Sequence, residues 1–224
     1  MDFSGRAKVY FWENNLFYKI KIMDPNEALL KELEPFLQYI NGKVLNAGSG
    51  SRKLKLGAET INLDIDPNNK PDVLADLDTI LHFPDNSFDT IVSVACLEHV
   101  PRPWYTIKEL HRVLRPNGFA VICIPFMQPF HAWPHDYTRF TNLGMESLLK
   151  EGGFTVVEVK ANNQLRFGYT LSWLLTEYYA AHPKLWKIMR FFWKPVFFLM
   201  RRGIIFSRPS PHTESAYYAV GRKI

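Results

Sequence analysis

Two cysteines in 224 residues are too few for a disulfide framework, and both Cys96 and Cys123 sit inside apolar runs. A reducing cytosol is the expected setting, and neither cysteine has metal-ligand spacing, so no metal site is read from the sequence. No uninterrupted apolar run approaches the length of about 18 residues that a spanning helix needs. The first ten residues mix charges with Phe3, Val9 and Tyr10 and lack a long apolar centre, which argues against a signal peptide. Acidic residues are nearly missing from one region. Between 164 and 212 there are eight Lys and Arg against the single acid Glu177, an excess larger than the +5 net charge of the whole chain. The basicity belongs to that segment alone.

What is present is enough apolar material, 47% of residues, for one sizeable core with an appendage. The central stretch is Val44-Leu45-Asn46-Ala47-Gly48-Ser49-Gly50. Two apolar residues suit a buried strand, and two glycines one residue apart let a backbone turn sharply beside a ligand. Such pairs also occur in plain turns. The acids Asp64 and Asp66 strengthen the ligand reading, because they follow the strand-like run Thr60-Ile61-Asn62-Leu63. An acid there can accept hydrogen bonds from both hydroxyls of a ribose.

Upstream, residues 1–23 form an aromatic leading arm. Asp24-Pro25-Asn26-Glu27 then has the pattern of a helix start, with Asp24 as N-cap. Leu29, Leu30, Leu33, Phe36, Leu37 and Ile40 continue at helical spacing until Asn41-Gly42 ends the run. After Gly50, residues 51–56 are expected to begin a short helix whose amides face the loop. A third strand is expected over 72–75, followed by Asp76-Leu77; Asp76 can accept from the amine of an adenine or cap a short helix. Ile91, Val92 and Val94 mark a fourth, buried strand. A helix carrying Ile107, Leu110, Val113 and Leu114 follows, then a fifth strand over 119–125. Strands alternating with helices mean a mostly parallel sheet covered on both faces. A helix after Thr141, a sixth strand over 154–159 and a last strand over 215–221 complete the chain.

The glycine loop, Asn62-Leu63-Asp64-Ile65-Asp66, Asp76-Leu77, the stretch 83–89, Leu97-Glu98-His99-Val100 and Val113-Leu114-Arg115-Pro116-Asn117-Gly118 follow one another in a specific order. Together they resemble the class I, Rossmann-like S-adenosylmethionine-dependent methyltransferases over roughly 42–160. The resemblance implies an α/β fold: a Rossmann-like seven-stranded, mostly parallel sheet with helices on both faces, an antiparallel last strand beside the fifth, and here a helical insertion between strands six and seven. It implies S-adenosyl-L-methionine as cofactor. Asp64, with Ile65 after it, would hold the ribose, and Asp76 with Leu77 would meet the adenine. The loop Asn46, Ala47, Gly48, Ser49 and Gly50 would pass under the methionine part, and the backbone of Ser93 and Val94 would meet its amino group. The family often has an acid where Asn46 stands, so a charge near that amino group is missing. A nicotinamide cofactor fits less well, because Lys53 occupies the place of the third glycine of a dinucleotide fingerprint.

The run 125–141 follows the carboxyl end of a parallel strand, where open sheets place their chemistry. His131, His135, Asp136, Tyr137 and Arg139 crowd there. They can supply a general base for an acceptor hydroxyl, with His135 first, His131, Asp136 and Tyr137 as helpers, and His99 as a second candidate. The plainer reading is a loop stapled by Asp136 and Arg139, with Thr141 capping the next helix. The run resembles a His-Pro-x-Asp-Tyr-x-Arg-Phe-Thr pattern of bacterial methyltransferases of glycan synthesis, which implies O-methylation of a sugar or lipid-linked glycan. A quinone or other small hydrophobic acceptor is an alternative, and so is a non-catalytic, cofactor-binding sensor or scaffold.

The chain thus reads as one domain, 1–224, with an arm at 1–23 and an aromatic, basic insertion at about 164–212. If 184–202 is helical, Lys184, Lys187, Arg190, Lys194 and Arg201 share one stripe, and Pro195 breaks or kinks it. Membrane contact against anionic lipid, which would make a cytoplasmic protein peripheral at the inner membrane surface, and a lid or homodimer surface are both open. Nucleic acid is the weakest partner, since no RNA-binding module is visible.

Overall fold

The computed structural model describes residues 25–132, 134–162, 167–180, 182, 191–193, 195–196, 198–200 and 214–224. Seven strands form its centre: β1 (Lys43–Ala47), β2 (Glu59–Asp64), β3 (Val73–Leu74), β4 (Phe88–Val94), β5 (Leu114–Pro125), β6 (Thr155–Ala161) and β7 (Ala216–Arg222). Helices α1 (Pro25–Leu33), α2 (Pro103–Val113), α3 (Asn142–Glu151) and α4 (Phe167–Ala180) accompany them. The sheet order is β3-β2-β1-β4-β5-β7-β6. Strands β1 to β5 pair in parallel, whereas β7 runs antiparallel to both β5 and β6. The seven-stranded Rossmann-like architecture expected from the motifs is therefore present, with its antiparallel strand beside the fifth.

Alternation along the strands explains why both faces need cover. Leu45, Leu63, Ile91, Ala120 and Ile122 point to one side, where Ile107 and Leu110 of α2 and Met145 and Leu148 of α3 meet them. Val44, Val92, Val94 and Val121 point to the other, against Leu29 and Leu33 of α1 and Phe36. Neighbouring strand residues thus serve two cores, as period-two geometry requires. Glu32 of α1 reaches across to accept hydrogen bonds from Asn162 Nδ2 (3.0 Å) and the Tyr218 hydroxyl (3.2 Å). Burial pushes its carboxyl above the usual range.

Two local expectations are corrected. The first helix does not run on to Ile40: α1 stops at Leu33 and Glu34–Tyr39 tightens into a 3-10 helix. Pro35 is the reason, because it has no N–H to give and its ring crowds the carbonyl of the preceding turn. Residues 51–56 form a turn and extended chain, not a helix. Leu54 and Leu56, two apart, are both buried in the second core. Burying such a side chain is worth about 1.5–3 kcal/mol, whereas one isolated helical turn gains almost nothing against its nucleation cost.

The start of α3 agrees with the sequence, since the Thr141 hydroxyl accepts from Gly144 N at 3.0 Å. The arm 1–23, the Asp24 cap and most of 184–202 lie outside the described residues. Pro195 itself lies in helical backbone, and α4 packs through Leu171 and Leu175 with Met200, Trp193 and Val196. Among the described residues no helix is long and apolar enough to cross a membrane.

At the amino ends of the strands, Asp89 ties β1 to β4. Its carboxylate accepts from Lys43 N at 2.8 Å and from Arg115 Nη1 at 2.6 Å. The Lys43 amide, with the Arg115 guanidinium, holds the Asp89 carboxyl below the usual carboxylate range. The stability this confers is present above the unfolded-state value and is lost as pH falls through the depressed one. Asp89→Ala is expected to cost about 1–3 kcal/mol in urea denaturation near neutral pH. The gap from wild type should close as the same measurement is taken from about pH 6 to about pH 2; a gap that stays constant would contradict this role.

Candidate active site

Strand order reverses between β1 and β4, and a crevice at such a switch point opens beyond the carboxyl ends of the strands. The loop leaving β1 enters it. Gly48 and Ser49 both donate their amides to the Leu63 carbonyl, each at 2.9 Å, so the loop is fastened to the end of β2. Gly48 has φ +74°, and a Cβ there would stand 2.0 Å from Cys96 Sγ. Only glycine fits. Gly50 differs: at φ +55° a Cβ would meet nothing within 4 Å. The loop is therefore clenched against Cys96 at its first glycine and open at its second.

Asp64 sits at the end of β2, almost buried, and faces that loop. Its Oδ2 accepts from Gly50 N at 2.6 Å, while Oδ1 accepts from Asp66 N (2.9 Å) and Asn69 Nδ2 (3.0 Å). Three of about four lone-pair positions are occupied, which leaves one for a ligand hydroxyl. Asp66 is used otherwise: it caps the short turn of helix Pro67–Asn69 through Asn68 N. Ile65, between the two acids, is 56% exposed. Asp76 accepts from Asp78 N at 2.8 Å and opens a turn, while Leu77 is buried below Gly48.

Asn46 does not face the crevice as a free amide. Buried at the end of β1, its Nδ2 donates to the Arg52 carbonyl (3.2 Å) and to Asn62 Oδ1 (2.9 Å). It braces the loop. The same turn brings in a residue that the motif reading missed: Arg52, whose Nη2 donates to the Val94 carbonyl at 3.1 Å. A cation thus stands at the end of β4. Its sequence signal was only that it is the first cation after the glycines. Beside it the Ser93 hydroxyl is buried against Cys96, and burial, with the Glu98 and Asp64 carboxylates adding, pushes the Cys96 thiol up to about 12. A thiol so placed stays protonated and takes no nucleophilic role.

The second half of the site is polar. The loop after β5 folds back on the segment after β4, with Tyr137 N donating to the Glu98 carbonyl at 2.8 Å. This brings His131 to His99, the rings edge to face at 5.4 Å, with the wholly buried Glu98 side chain between their Nε2 atoms. Burial alone would lower the His131 imidazole, but Glu98 and the Pro129 carbonyl outweigh it and raise its pKa. Trp173 of α4 lies against His131 at 5.3 Å between centroids. His135 stands apart: its ring is exposed beside Tyr137, and only its carbonyl joins the cluster, meeting His99 Nδ1 at 2.5 Å. Glu98 was visible in the sequence as an acid within an apolar stretch, but the 33-residue step to His131 hid their meeting.

Asp136 and Arg139 do form the staple. The guanidinium grips both carboxylate oxygens, Nη2 to Oδ2 at 2.6 Å, and the same Oδ2 accepts from His131 N at 2.7 Å. Asp136 is a positioning residue for His131.

Residues 45–122, from β1 into β5, match the family model of a methyltransferase domain. An uncharacterized methyltransferase of Mycobacterium sp. (strain KMS) is 28% identical over 117 residues, covering 47% of this chain and 46% of that one. The demethylmenaquinone methyltransferase of Geobacillus stearothermophilus is 41% identical over 64 residues, 27% of each chain. The chain matches less than half the length of these curated relatives. The crystal structure of a SAM-dependent methyltransferase from Archaeoglobus fulgidus superposes with a TM-score of 0.57 at 15% identity, covering 96% of this chain and 100% of that one. That likeness is one of fold.

Burial alone would raise the Asp136 carboxyl, yet the Arg139 fork and the His131 amide hold it below its usual value. Its stabilisation is therefore complete above the unfolded-state value and fades as pH drops through the depressed one. Arg139→Ala leaves a buried carboxylate without its cation and is expected to lower stability by about 3–5 kcal/mol. Thermal unfolding should show this loss at neutral pH and a smaller one in acid, where the orphaned Asp136 is protonated.

Proposed function

We propose that the chain is an S-adenosyl-L-methionine-dependent methyltransferase that methylates a hydroxyl on a sugar or lipid-linked glycan. The observation that carries this reading is the bond from Gly50 N to Asp64 Oδ2, which fixes a carboxylate and an open glycine loop at the sheet's switch point. The residues there fit the cofactor. Asp64 keeps one acceptor position for a ribose hydroxyl, and exposed Ile65 offers an apolar face to the base. Asp76 is the acceptor assigned to the adenine amine. The loop from Asn46 to Gly50 lies beneath the methionine part, whose amino group falls to the backbone of Ser93 and Val94. Arg52 supplies a cation for the carboxylate of the amino-acid end. Bound there, the sulfonium supplies an electrophilic methyl group and a neutral leaving sulfur.

The remaining work of the protein is alignment and proton removal. His135, exposed at the rim and held through its carbonyl to His99, is the base assigned to the acceptor hydroxyl, with Tyr137 beside it. His131 and His99 are less exposed, His131 held by Asp136 and His99 by the His135 carbonyl. We read the whole chain as one domain with an arm at 1–23. The insertion at 164–212 acts as a lid, in keeping with Trp173 lying over His131. The basic part, 184–202, is assigned to an anionic membrane surface on the cytoplasmic side, where a lipid-linked acceptor would be presented. The local likeness to a demethylmenaquinone methyltransferase supports a second acceptor class, a quinone or other small hydrophobic acceptor.

Tritiated methyl transfer from S-adenosyl-L-methionine into lipid-linked glycan, compared with transfer into a quinone, tests the reading and chooses between acceptors. No transfer to any fraction, with cofactor bound, would point to a sensor or scaffold. In calorimetry Asp64→Ala is expected to abolish cofactor binding, and unchanged affinity would refute the ribose assignment. His135→Ala is expected to slow turnover by about 100-fold or more with cofactor affinity unaltered; normal turnover would remove it as the base.

A further inference from the structure

Glu98 is the one acid of the site whose side-chain oxygens are both buried and have no hydrogen-bond partner, and its side chain is 0% exposed. Such a group is stable there only with a proton or with a positive charge beside it. Arg139 is held by Asp136, and Arg52, whose Nη2 turns to the Val94 carbonyl, makes no hydrogen bond to Glu98. The groups that do face Glu98 are two imidazole nitrogens, His99 Nε2 at 3.6 Å and His131 Nε2 at 3.7 Å from the same Oε1.

The other nitrogen of each ring settles what these atoms offer. His99 Nδ1 lies 2.5 Å from the His135 carbonyl, and His131 Nδ1 lies 2.8 Å from the Pro129 carbonyl. A carbonyl only accepts, so each Nδ1 carries the proton and each Nε2 of a neutral ring presents a lone pair. Arg139 Nη2 also comes within 3.2 Å of His131 Nδ1, but it is held more closely by Asp136 at 2.6 Å. Two lone pairs and a carboxylate pointing into one space repel one another unless something positive sits among them.

From this we infer that Glu98, His99 and His131 form a site for a divalent transition-metal ion of the zinc or cobalt type. Their ligating atoms all lie within 4.8 Å of one another. Two donors each about 2.0–2.2 Å from zinc at a tetrahedral angle stand about 3.3–3.6 Å apart, close to the separations of Glu98 from the two imidazoles. Backbone carbonyls fixing the outer nitrogen are the usual support of a metal-bound histidine. Two histidines and one carboxylate leave at least one coordination position open. His99 and His131 remain partly exposed, which gives an ion a way in.

The task assigned to the ion rests on the methyl-transfer reading. An acceptor hydroxyl brought to the open position would have its pKa lowered, easing loss of its proton to solvent. The metal site itself does not depend on that activity.

The full chain, stripped with a chelator and titrated with Co²⁺ and then Zn²⁺, is expected to bind one ion, with visible Co²⁺ absorption bands that Zn²⁺ abolishes. Losing a supporting partner of a metal ligand already weakens binding 10–100-fold, so His99→Gln and His131→Gln should each weaken it by about 100-fold or more. Both positions are part-exposed, and His82→Gln, at an exposed histidine outside the cluster, should leave it unchanged. Titration with S-adenosylhomocysteine on the same samples reports the cofactor crevice separately. Metal bound normally without cofactor binding supports the site and removes only its task. Absence of Co²⁺ bands in the wild-type chain, or equal affinity in both histidine variants, overturns the site and leaves a proton shared with Glu98 as the only occupant.

Discussion

At the turn after β1 the wall of the crevice is backbone rather than side chain. The amides of Gly48 and Ser49 converge on one carbonyl of β2, and Gly50 reaches the carboxylate of the next residue, Asp64. These bonds join the ends of β1 and β2 more tightly than the strand ladder alone would. The Asp64 carboxylate and the turn after Gly50 take their positions from them. Asn46 adds a brace from below by holding the carbonyl of Arg52, and that turn in turn delivers a guanidinium to the end of β4.

The second constraint is the meeting of two loops. The segment after β4 and the segment after β5 both leave the sheet at the same edge because their strands are parallel neighbours. The Glu98 carbonyl, accepting from Tyr137 N and Thr138 N, sets their register. The Asp136–Arg139 pair then fixes the path of the chain at His131. A buried acid, two imidazoles and a nearby exposed histidine are the outcome, gathered from positions far apart in sequence.

Much of this was legible beforehand where local chemistry and tertiary packing agree. The apolar run at Val44-Leu45 sits in β1, Thr141 caps α3 through its hydroxyl, and Asp136 and Arg139 pair as their spacing suggests. Expectations failed where a local preference met a stronger demand. The helix expected to reach Ile40 gave way at Pro35, and the helix expected after Gly50 gave way to the burial of Leu54 and Leu56. Asp66 looked like half of a ligand-binding pair and proved to be a cap, because a short turn with free amides follows it directly.

By itself the sequence determined the strand–helix alternation, the parallel sheet and the identity of the glycine loop with its acid. Those features depend on residues near one another in the chain, and their period and turn chemistry leave few alternatives. Only the tertiary structure decided which histidines meet and which way their nitrogens face. It also decided that Arg52, rather than Asn46, is the polar group reaching the end of β4. Such choices are made by loops crossing between strands, where the partner of a side chain is set by the sheet order and the backbone carbonyl it happens to find, and no spacing along the chain encodes either.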